Sequence, residues 1–443
     1  MTFASLPMIL YVLPLFVILT AIVPAQWKAC VLALGGLAAV WMTGGFPALI
    51  LLLISVSATW LIIRLQPKKS DAHHHRAELW LYAGIGIQAI LLLLGRLMLD
   101  DLTLVPLVMC AMQGAECMSD HANNRFHKPA LFSFFCYQCD MTRLPAGPVL
   151  RYETAEQLRA ARQVTAHRVG EGASGCIRGL FQLVCLALPM FRMQDALKIG
   201  TVLHSSADAV FAALSFYFSL YYGMKGTAQI GQGLALMLGY RYPDSFDSPV
   251  LADSLHDFRR RFLTPLYDWT ERVLYLENGV TDAGAYFARM SLVLGGLGII
   301  FGRGGAGLLW GVLAAVLLTA EHVRRGKKRY TLPTGARRVL VGATVLFGVG
   351  LLRGRSIIEC FAFYAALLGI NGIMLSDTAA YLMRENWLIL LLCSAGMFPL
   401  RKLLHRLPTG KPLRFVRTAV KGAAELLMLL WAYSELLSRY LRS

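Results

Sequence analysis

Two adjacent pairs of a histidine and an acidic residue are the side chains best suited to move a proton in this sequence. His256 precedes Asp257, and Glu321 precedes His322. Imidazole titrates near neutral pH, so a histidine can accept or donate a proton in general acid–base chemistry. Each pair adjoins a run of arginines, which is also typical of an exposed helix face or of a position among lipid headgroups. His256 and His322 are therefore candidates for a general base, with a surface role as the alternative for each.

The other histidines and the cysteines predict no metal site. The run His73–His75 lies in a short basic loop, and His121 and His127 lie in a polar stretch typical of a loop. Cys136 and Cys139 have the spacing of a redox or zinc motif, but there is no second pair of ligands. The nine cysteines mostly lie in apolar runs, where cysteine packs as a small hydrophobic residue.

A rigid loop is predicted at Arg143–Tyr152, which reads Arg-Leu-Pro-Ala-Gly-Pro-Val-Leu-Arg-Tyr. The two prolines and the glycine between them enforce a non-helical turn. Arg151 then supplies a charged anchor and Tyr152 an aromatic one. The pattern fits either a binding site beside the membrane or an ordinary turn between helices.

The composition requires a membrane protein. Of 443 residues, 56% are hydrophobic and only 16% are charged, whereas a soluble domain carries about 25% charged residues. The mean hydropathy is +0.55. A net charge of +17 would suit nucleic acid in a soluble chain, but basic residues also collect in the cytoplasmic loops of membrane proteins. Soluble, disordered, collagen-like and disulfide-scaffold classes are excluded, the lipid bilayer is the expected partner, and no nucleic acid is expected.

Apolar runs along the chain predict an all-α, polytopic membrane helical bundle. A helix needs roughly 20 apolar residues to cross a bilayer, and by this measure we expect about ten to twelve membrane segments. Shorter runs are predicted as re-entrant or buried elements. The stretch 1–23 lacks the basic start of a secretion signal, so we expect a retained first helix. Basic clusters at 64–76, 324–338 and 401–421 predict the cytoplasmic side, and the polar stretches 120–175 and 241–282 predict amphipathic elements.

Five motifs, in order, resemble those of the membrane-bound O-acyltransferases, in particular the bacterial branch of the alginate O-acetylation and teichoic-acid D-alanylation proteins. The loop at Arg143–Tyr152 is similar to the family's P-Q-L-I-A-G-P-I-V-R-Y. The stretches 239–250 and 256–276 are similar to its G-F-x-F-P-E-N-F and D-F-W-R-R-W-H segments, and 350–354 and 385–400 resemble two later motifs. The resemblance implies one integral membrane domain over 1–443.

Within this domain the resemblance implies N-terminal helices at 1–98, the family core at 99–404, and a C-terminal basic loop and helix at 405–443. It also implies the family's chemistry, in which a membrane-embedded histidine deprotonates an acceptor hydroxyl and the acceptor then attacks an acyl thioester.

The two family histidines are replaced in this sequence. Aligned with the family's G-L-W-H-G-A-G, the chain reads Gly298-Ile-Ile-Phe-Gly-Arg-Gly304, so Phe301 occupies the position of the catalytic histidine. Leu263 occupies the position of the second one, and Gly223 and Gln229 replace two family aspartates. A phenyl ring cannot accept a proton, so the pattern predicts a degenerate or repurposed member with His256 and His322 as the fallback bases.

By the same resemblance, charged and aromatic side chains are predicted to bind substrate: Arg151, Asp257, Arg260, Arg261, Trp269, Arg303 and Glu321. Arg303 has two interpretations: it lines a polar tunnel left beside Phe301, or it lies in a surface turn and reaches the headgroups.

Two spatial expectations follow for this region. The adjacent arginines at 259–261 cannot remain unpaired in hydrocarbon, so at least one is expected to pair with Asp257, Asp268 or Glu271. The stretches 209–232, 256–276 and 294–314 are expected to line one concave site.

Three functions are open at this stage. The first is an O-acyltransferase that passes an acetyl or other small acyl group across the membrane to a cell-surface polysaccharide or other polymer. It implies no bound cofactor, an acyl-thioester donor (acyl-CoA or acyl-carrier protein), and an extracytoplasmic acyltransferase or the carrier protein as partner. The second is an inactive relative that acts as a scaffold or partner of an active acyltransferase, and the third is a transporter. All three predict a multi-pass protein of the bacterial cell membrane.

Overall fold

In the computed structural model, all the regular secondary structure among the described residues is helical. These are residues 13–67, 74–99, 101–123, 125, 128–144, 147–197, 205–274, 282–302, 305–325, 332–354, 356–370, 372–399 and 411–440. A backbone in lipid must satisfy its N–H and C=O groups within the protein, which a helix does within one segment. The predicted all-α class is confirmed, and no strand occurs in these ranges.

The chain forms two compact units. The first comprises residues 1–181, 225–245 and 425–443, and the second comprises 182–224 and 246–424. The helices that begin in the first unit are α1 (Leu13–Ile22), α2 (Lys28–Leu65), α3 (His74–Met98), α4 (Asp101–Ala122), α5 (Leu131–Gln138), α6 (Tyr152–Ala160) and α7 (Ala166–Phe181).

The remaining helices begin in the second unit. They are α8 (Leu188–Ala196), α9 (Ser206–Met237), α10 (Leu255–Phe262), α11 (Thr264–Leu274), α12 (Ala283–Phe301), α13 (Gly305–Arg325), α14 (Thr334–Arg353), α15 (Ile357–Leu367), α16 (Asp377–Gly396) and α17 (Lys411–Tyr440). The later parts of α9 and α17 belong to the first unit. A π-helical segment, Gln182–Ala187, continues α7 into α8.

Six helices among the described residues are long and apolar enough to cross a bilayer. They are Lys28–Leu65, His75–Met98, Ala166–Gln194, Ala283–Phe301, Gly305–Arg324 and Thr334–Arg353. Large apolar side chains on several of them are exposed, as expected for a surface that faces lipid rather than water. The chain is therefore a polytopic membrane protein, while the expected total of about ten to twelve segments stays a prediction.

Helix α2 joins two apolar runs that the sequence separates. It has 38 residues and bends at Gly45, just before Pro47. The φ angle of Gly45 is +67°, a backbone conformation that glycine adopts readily and other residues rarely adopt. At 1.5 Å per residue the helix is about 57 Å long, well beyond the roughly 30 Å of a hydrocarbon core. The two runs are thus the arms of one kinked helix.

Helix α4 is the central helix of the first unit. Between Leu104 and Ala122 every residue is buried except Val105 and Met112, which are partly buried. Helices α2, α3 and α5 pack against it. Its C-terminal half nevertheless carries acidic and amide side chains, which the first unit must accommodate in its interior.

An antiparallel hairpin of α12 and α13 forms the core of the second unit. Tyr286, Met290 and Leu294 of α12 pack against Ala315 and Leu318 of α13. Leu255 of α10 and Leu274 of α11 pack on the same cluster. The hairpin thereby holds the two short amphipathic helices that carry most of the predicted site residues.

Candidate functional site

Helix α10 is fixed at its N-terminus by two side chains. Ser254 is the N-cap, and its hydroxyl accepts a hydrogen bond from the Asp257 backbone N–H at 3.1 Å. The carboxylate of Glu321, on α13, accepts the N–H groups of Leu255 at 2.9 Å and His256 at 3.4 Å. Both groups are among the N–H donors that a helix leaves without an intrahelical partner. Glu321 therefore positions α10, and its predicted role in substrate binding stays a prediction.

The three adjacent arginines of α10 have different surroundings. Arg261 donates from Nε to Asp257 at 2.7 Å and from Nη1 to Asp247 at 3.2 Å. Arg259 lies 3.6 Å from the carboxylate of Glu271. The expected pairing is confirmed for both, whereas the Arg260 side chain is exposed.

Arg259 is also held by α11. Its guanidinium lies 4.7 Å from the centroid of the Tyr267 ring, and Nη1 donates to the Thr270 hydroxyl at 3.2 Å. Asp268, on the same helix, has its pKa raised because partial burial disfavours its charge, and Arg272 and Arg260 only partly offset this. Trp269 is half-buried. These contacts connect α10 and α11 into one charged element.

The two fallback histidines pack against tyrosines. His256 meets Tyr267 edge to face at 5.5 Å, and His322 stacks on Tyr286 with centroids 4.1 Å apart and planes 9° from parallel. Leu263, at one family histidine position, links α10 to α11 and is half-buried.

Phe301 lies at the other end of the α12–α13 hairpin from His322. Tyr286, which stacks on His322, is 15 residues before Phe301, or about 22 Å along the helix axis. His322 and the Phe301 position therefore cannot act on one reacting atom in this arrangement, because a base must come within about 3 Å of its proton donor.

The glycines around Phe301 bring α12 and α13 into backbone contact. A Cβ atom on Gly298 would lie 2.0 Å from the carbonyl oxygen of Gly307. One on Gly311 would lie 2.4 Å from the carbonyl oxygen of Leu294. These glycines therefore serve close helix packing. Arg303 and Gly304 lie outside the described residues, so neither interpretation of Arg303 is tested.

An aromatic cluster joins α9 to α10 in the second unit. Tyr217 lies 6.0 Å from Phe262, Tyr221 lies 5.9 Å from Phe262, and Phe258 lies 6.5 Å from Tyr217, measured between ring centroids. Together with the packing of Leu274 on the hairpin cluster that contains Leu294, this brings parts of all three predicted stretches into contact within this unit.

The first unit contains a buried ionic cluster beneath the Arg143–Tyr152 loop. Arg143 is 1% exposed, lies 3.6 Å from Asp140 and stacks over the Tyr137 ring. Arg159 lies 3.6 Å from the same carboxylate. Arg151, predicted to bind substrate, lies 3.8 Å from the carboxylate of Glu116 and 3.6 Å from that of Asp120, both on α4. The described residues of the loop thus adjoin a buried ionic cluster; Pro145 and Ala146 lie outside the described residues, and a substrate-binding role for the loop stays a prediction.

Sequence reasoning missed the acidic members of this cluster. Glu116, Asp120 and Asp140 are all buried, and charged residues in a largely apolar segment were the available signal. His121 is buried and contacts the Gln66 carbonyl at 3.3 Å, so it does not lie in a loop, whereas His127 and His73 are outside the described residues.

Cys136 and Cys139 are both buried, and burial raises the pKa of the Cys136 thiol to about 11. In the described ranges no cluster of three His, Cys, Asp or Glu side chains has the geometry to hold a metal ion.

Similarity to known proteins agrees with this architecture. No family model matches the chain. The chain is 26% identical to the probable alginate O-acetylase AlgI of Azotobacter vinelandii over 252 aligned residues. The aligned region covers 56% of this chain and 50% of that protein. The corresponding Pseudomonas aeruginosa protein is 24% identical over 252 residues, covering 56% and 48%. The peptidoglycan O-acetyltransferase of Helicobacter pylori is 24% identical over 218 residues, covering 47% and 41%.

The helical membrane architecture and these relatives together define a class. The chain is a multi-pass protein of the bacterial cell membrane, and its resemblance to the membrane-bound O-acyltransferases of the alginate O-acetylation branch is confirmed. It spans about half the length of the curated relatives that it matches.

Proposed function

We propose that this chain acts in the transfer of an acetyl or other small acyl group across the membrane toward a cell-surface polysaccharide or related polymer. The observation that carries the proposal is the similarity, over half of the chain, to alginate O-acetylases and a peptidoglycan O-acetyltransferase. The contact of α9, α10 and the α12–α13 hairpin in the second unit supports it, because α10 begins the 256–276 motif and α12 carries the segment aligned with the family's catalytic-histidine motif.

The reaction needs a donor and a partner. An acyl thioester, as acyl-CoA or on an acyl-carrier protein, supplies an activated carbonyl without a bound cofactor. An extracytoplasmic acyltransferase would then pass the group to the polymer. The exposed Arg260 is the member of the arginine run best placed to meet a negatively charged donor.

A second candidate is an inactive relative that serves as a scaffold for an active acyltransferase. Phe301 stands at the catalytic histidine position, and the glycines beside it bring two helices into backbone contact. General-base assistance is worth roughly 10² to 10⁴ in rate, so its loss would leave little transfer above background.

The deciding experiment compares purified wild type, Phe301→Ala and Phe301→His in proteoliposomes. Acetyl-CoA and acetylated carrier protein are the donors, and alginate oligosaccharides and peptidoglycan fragments are the acceptors. Phe361→Ala is the matched control, because Phe361 is 73% exposed on α15. Wild-type turnover that persists in Phe301→Ala would establish an enzyme with its base elsewhere, and His256→Ala and His322→Ala would follow.

Turnover only in Phe301→His would show that acyl transfer was lost with the histidine. If no variant turns over, a deletion strain separates the remaining outcomes. Polymer acetylation restored equally by wild type and Phe301→Ala would support the scaffold, and unchanged acetylation in the deletion strain would contradict both proposals.

A further inference from the structure

Two basic side chains meet at one surface of the first unit. Lys28 begins α2, and Arg162 lies in the short connection between α6 and α7. Both residues are partly buried, and they lie close enough for their positive charges to act on each other. Like charges repel, and an anion bound between them would offset this repulsion. We call Lys28 and Arg162 the cation pair.

The buried ring of Tyr240 connects the two segments that carry the cation pair. The guanidinium of Arg162 lies 5.6 Å from the centroid of this ring. On the other side, Leu32 packs with Tyr240 in a buried cluster. Leu32 is four residues after Lys28, so the two lie on the same face of α2. The ring therefore holds the Lys28 end of α2 next to Arg162.

The backbone that carries Arg162 is also fixed. Gly239 has a φ angle of +92°, and a Cβ atom there would lie 2.9 Å from Arg162 Cγ. The Gln163 N–H donates to the Gly239 carbonyl oxygen at 3.4 Å, and Arg168 Nη1 donates to the same oxygen at 3.2 Å. The connection between α6 and α7 is thus held against residue 239, which keeps Arg162 beside Lys28.

The acidic side chains of this region pair with other arginines. Asp140 lies 3.6 Å from Arg159, and Glu171 lies 3.0 Å from Arg241. In the described part of the chain, neither member of the cation pair has a carboxylate as an ion-pair partner. The pair therefore presents two positive charges that the protein itself does not neutralise there.

The cation pair lies where two helices that can cross the membrane begin. These are α2, which starts at Lys28, and the continuous helix Ala166–Gln194, which starts four residues after Arg162. Trp27 precedes Lys28 and is 52% exposed. Aromatic and basic side chains at the end of an apolar helix are typical of the level of the lipid headgroups. A phosphate in the membrane surface would thus lie at the height of the pair.

An exposed apolar stripe leads from the cation pair along the first arm of α2. Trp27, Leu34 and Trp41 are spaced seven residues apart, which places them on one side of the helix. They are 52%, 57% and 57% exposed. At 1.5 Å per residue the stripe is about 21 Å long, enough to contact an acyl chain over half of a hydrocarbon core of about 30 Å. A soluble anion has no use for this surface, whereas a phospholipid does.

We propose that Lys28 and Arg162 bind the phosphate of an anionic phospholipid, one acyl chain of which lies along the stripe of Trp27, Leu34 and Trp41. The ammonium and guanidinium groups donate charge-assisted hydrogen bonds to the phosphate oxygens. A zwitterionic headgroup fits less well, because its own cation would add a third positive charge to the pair. The site lies within the first unit and does not depend on the proposed acyl transfer.

Native mass spectrometry of the full chain in detergent tests the proposal with added phosphatidylglycerol or phosphatidylcholine. Wild type should retain phosphatidylglycerol more tightly. Lys28→Gln and Arg162→Gln should each weaken its binding about fivefold, while Lys28→Arg should preserve it. Arg241→Gln is the matched control, because it removes the same charge from a neighbouring arginine that is already paired with Glu171.

Three outcomes of this experiment would overturn the proposal. The first is equal retention of the two lipids by wild type, and the second is an equal loss of phosphatidylglycerol in Arg241→Gln. The third is displacement of the lipid by glycerol 3-phosphate or acetyl-CoA at the concentration at which phosphatidylglycerol itself competes, which would indicate a site for a soluble anion.

A measurement on the wild type protects the test against variants that fail to fold. Phosphatidylglycerol with a photoreactive diazirine in one acyl chain is cross-linked to the full chain in liposomes. Labelling should concentrate in residues 27–41, and phosphatidylcholine with the same diazirine should label this stretch less. Val339 and Leu340 on α14 are 73% and 58% exposed and serve as the reference surface. Equal labelling of both surfaces by the anionic lipid would contradict the proposal, whether or not the chain transfers acyl groups.

Discussion

At the scale of single residues, the arginines of α10 show how neighbours in sequence can have separate tasks. Arg259 is 10% exposed in its side chain and contacts a carboxylate, a hydroxyl group and a tyrosine ring. Arg260 is exposed. Arg259 and Arg261 thus stabilise the arrangement of α10 and its neighbours through ion pairs, whereas the exposed Arg260 is accessible to lipid or substrate.

These contacts predict a difference in stability between two adjacent substitutions. Arg259→Ala removes one partner of a largely buried ion pair, so we expect a loss of about 1–3 kcal/mol. Arg260→Ala is the matched control and should stay within about 0.5 kcal/mol of wild type. Thermal unfolding in detergent measures both, and equal melting temperatures would show that the Arg259 contacts do not stabilise the fold.

The pairing of these arginines was predictable from the sequence, whereas the partner of Glu321 was not. Adjacent cations near hydrocarbon need counterions, and acids follow within a few turns. Glu321 instead accepts backbone N–H groups 65 and 66 residues away, which no local pattern specifies. The buried acids of α4 were missed for a similar reason, because Arg151, which lies near both Glu116 and Asp120, comes from a later segment of the chain.

At the scale of elements, the glycines of the α12–α13 hairpin could serve either of two structural roles. A glycine-rich turn lets a backbone approach a ligand, and it equally lets two helices approach each other. The sequence cannot decide between these, because both need the absence of a Cβ atom. In the structure, Gly298, Gly307 and Gly311 allow close approach of the two helices.

Two alanine substitutions in α12 test this packing. Gly298→Ala places a Cβ atom 2.0 Å from the Gly307 carbonyl oxygen, so the helices must separate, at an expected cost of about 1–3 kcal/mol. Gly296→Ala, two residues earlier, meets nothing within 4 Å and should be neutral or slightly stabilising. A lower melting temperature or yield for the first variant alone is expected. Equal behaviour would show that the two helices do not rely on this contact.

At the scale of the whole molecule, composition and hydropathy were sufficient to predict a helical membrane protein. The kinked α2 and the continuous run from α7 into α8 were not predictable as single elements, because Gly45, Pro47 and the π segment interrupt the local pattern without ending the helix. Segment counts therefore depend on tertiary packing more than on the apolar runs themselves.

The hairpin also gives a prediction about membrane topology. Helices α12 and α13 are each long enough to cross once, so the turn between them and the segment after α13 should face opposite sides. Arg324 and Arg325 place the latter on the cytoplasmic side by the positive-inside bias. Phe301 then lies toward the extracytoplasmic face, and α10 with its arginines toward the cytoplasm.

Reporter fusions check this arrangement. Green fluorescent protein fused after Arg325 should fluoresce, and alkaline phosphatase at the same point should be inactive. Fusions after Gly302 should give the reverse pattern, since α13 separates the two points by about 30 Å, the thickness of the hydrocarbon core. The same pattern at both points would mean that α12 and α13 form a re-entrant hairpin, and Phe301 would then have to be placed within the membrane.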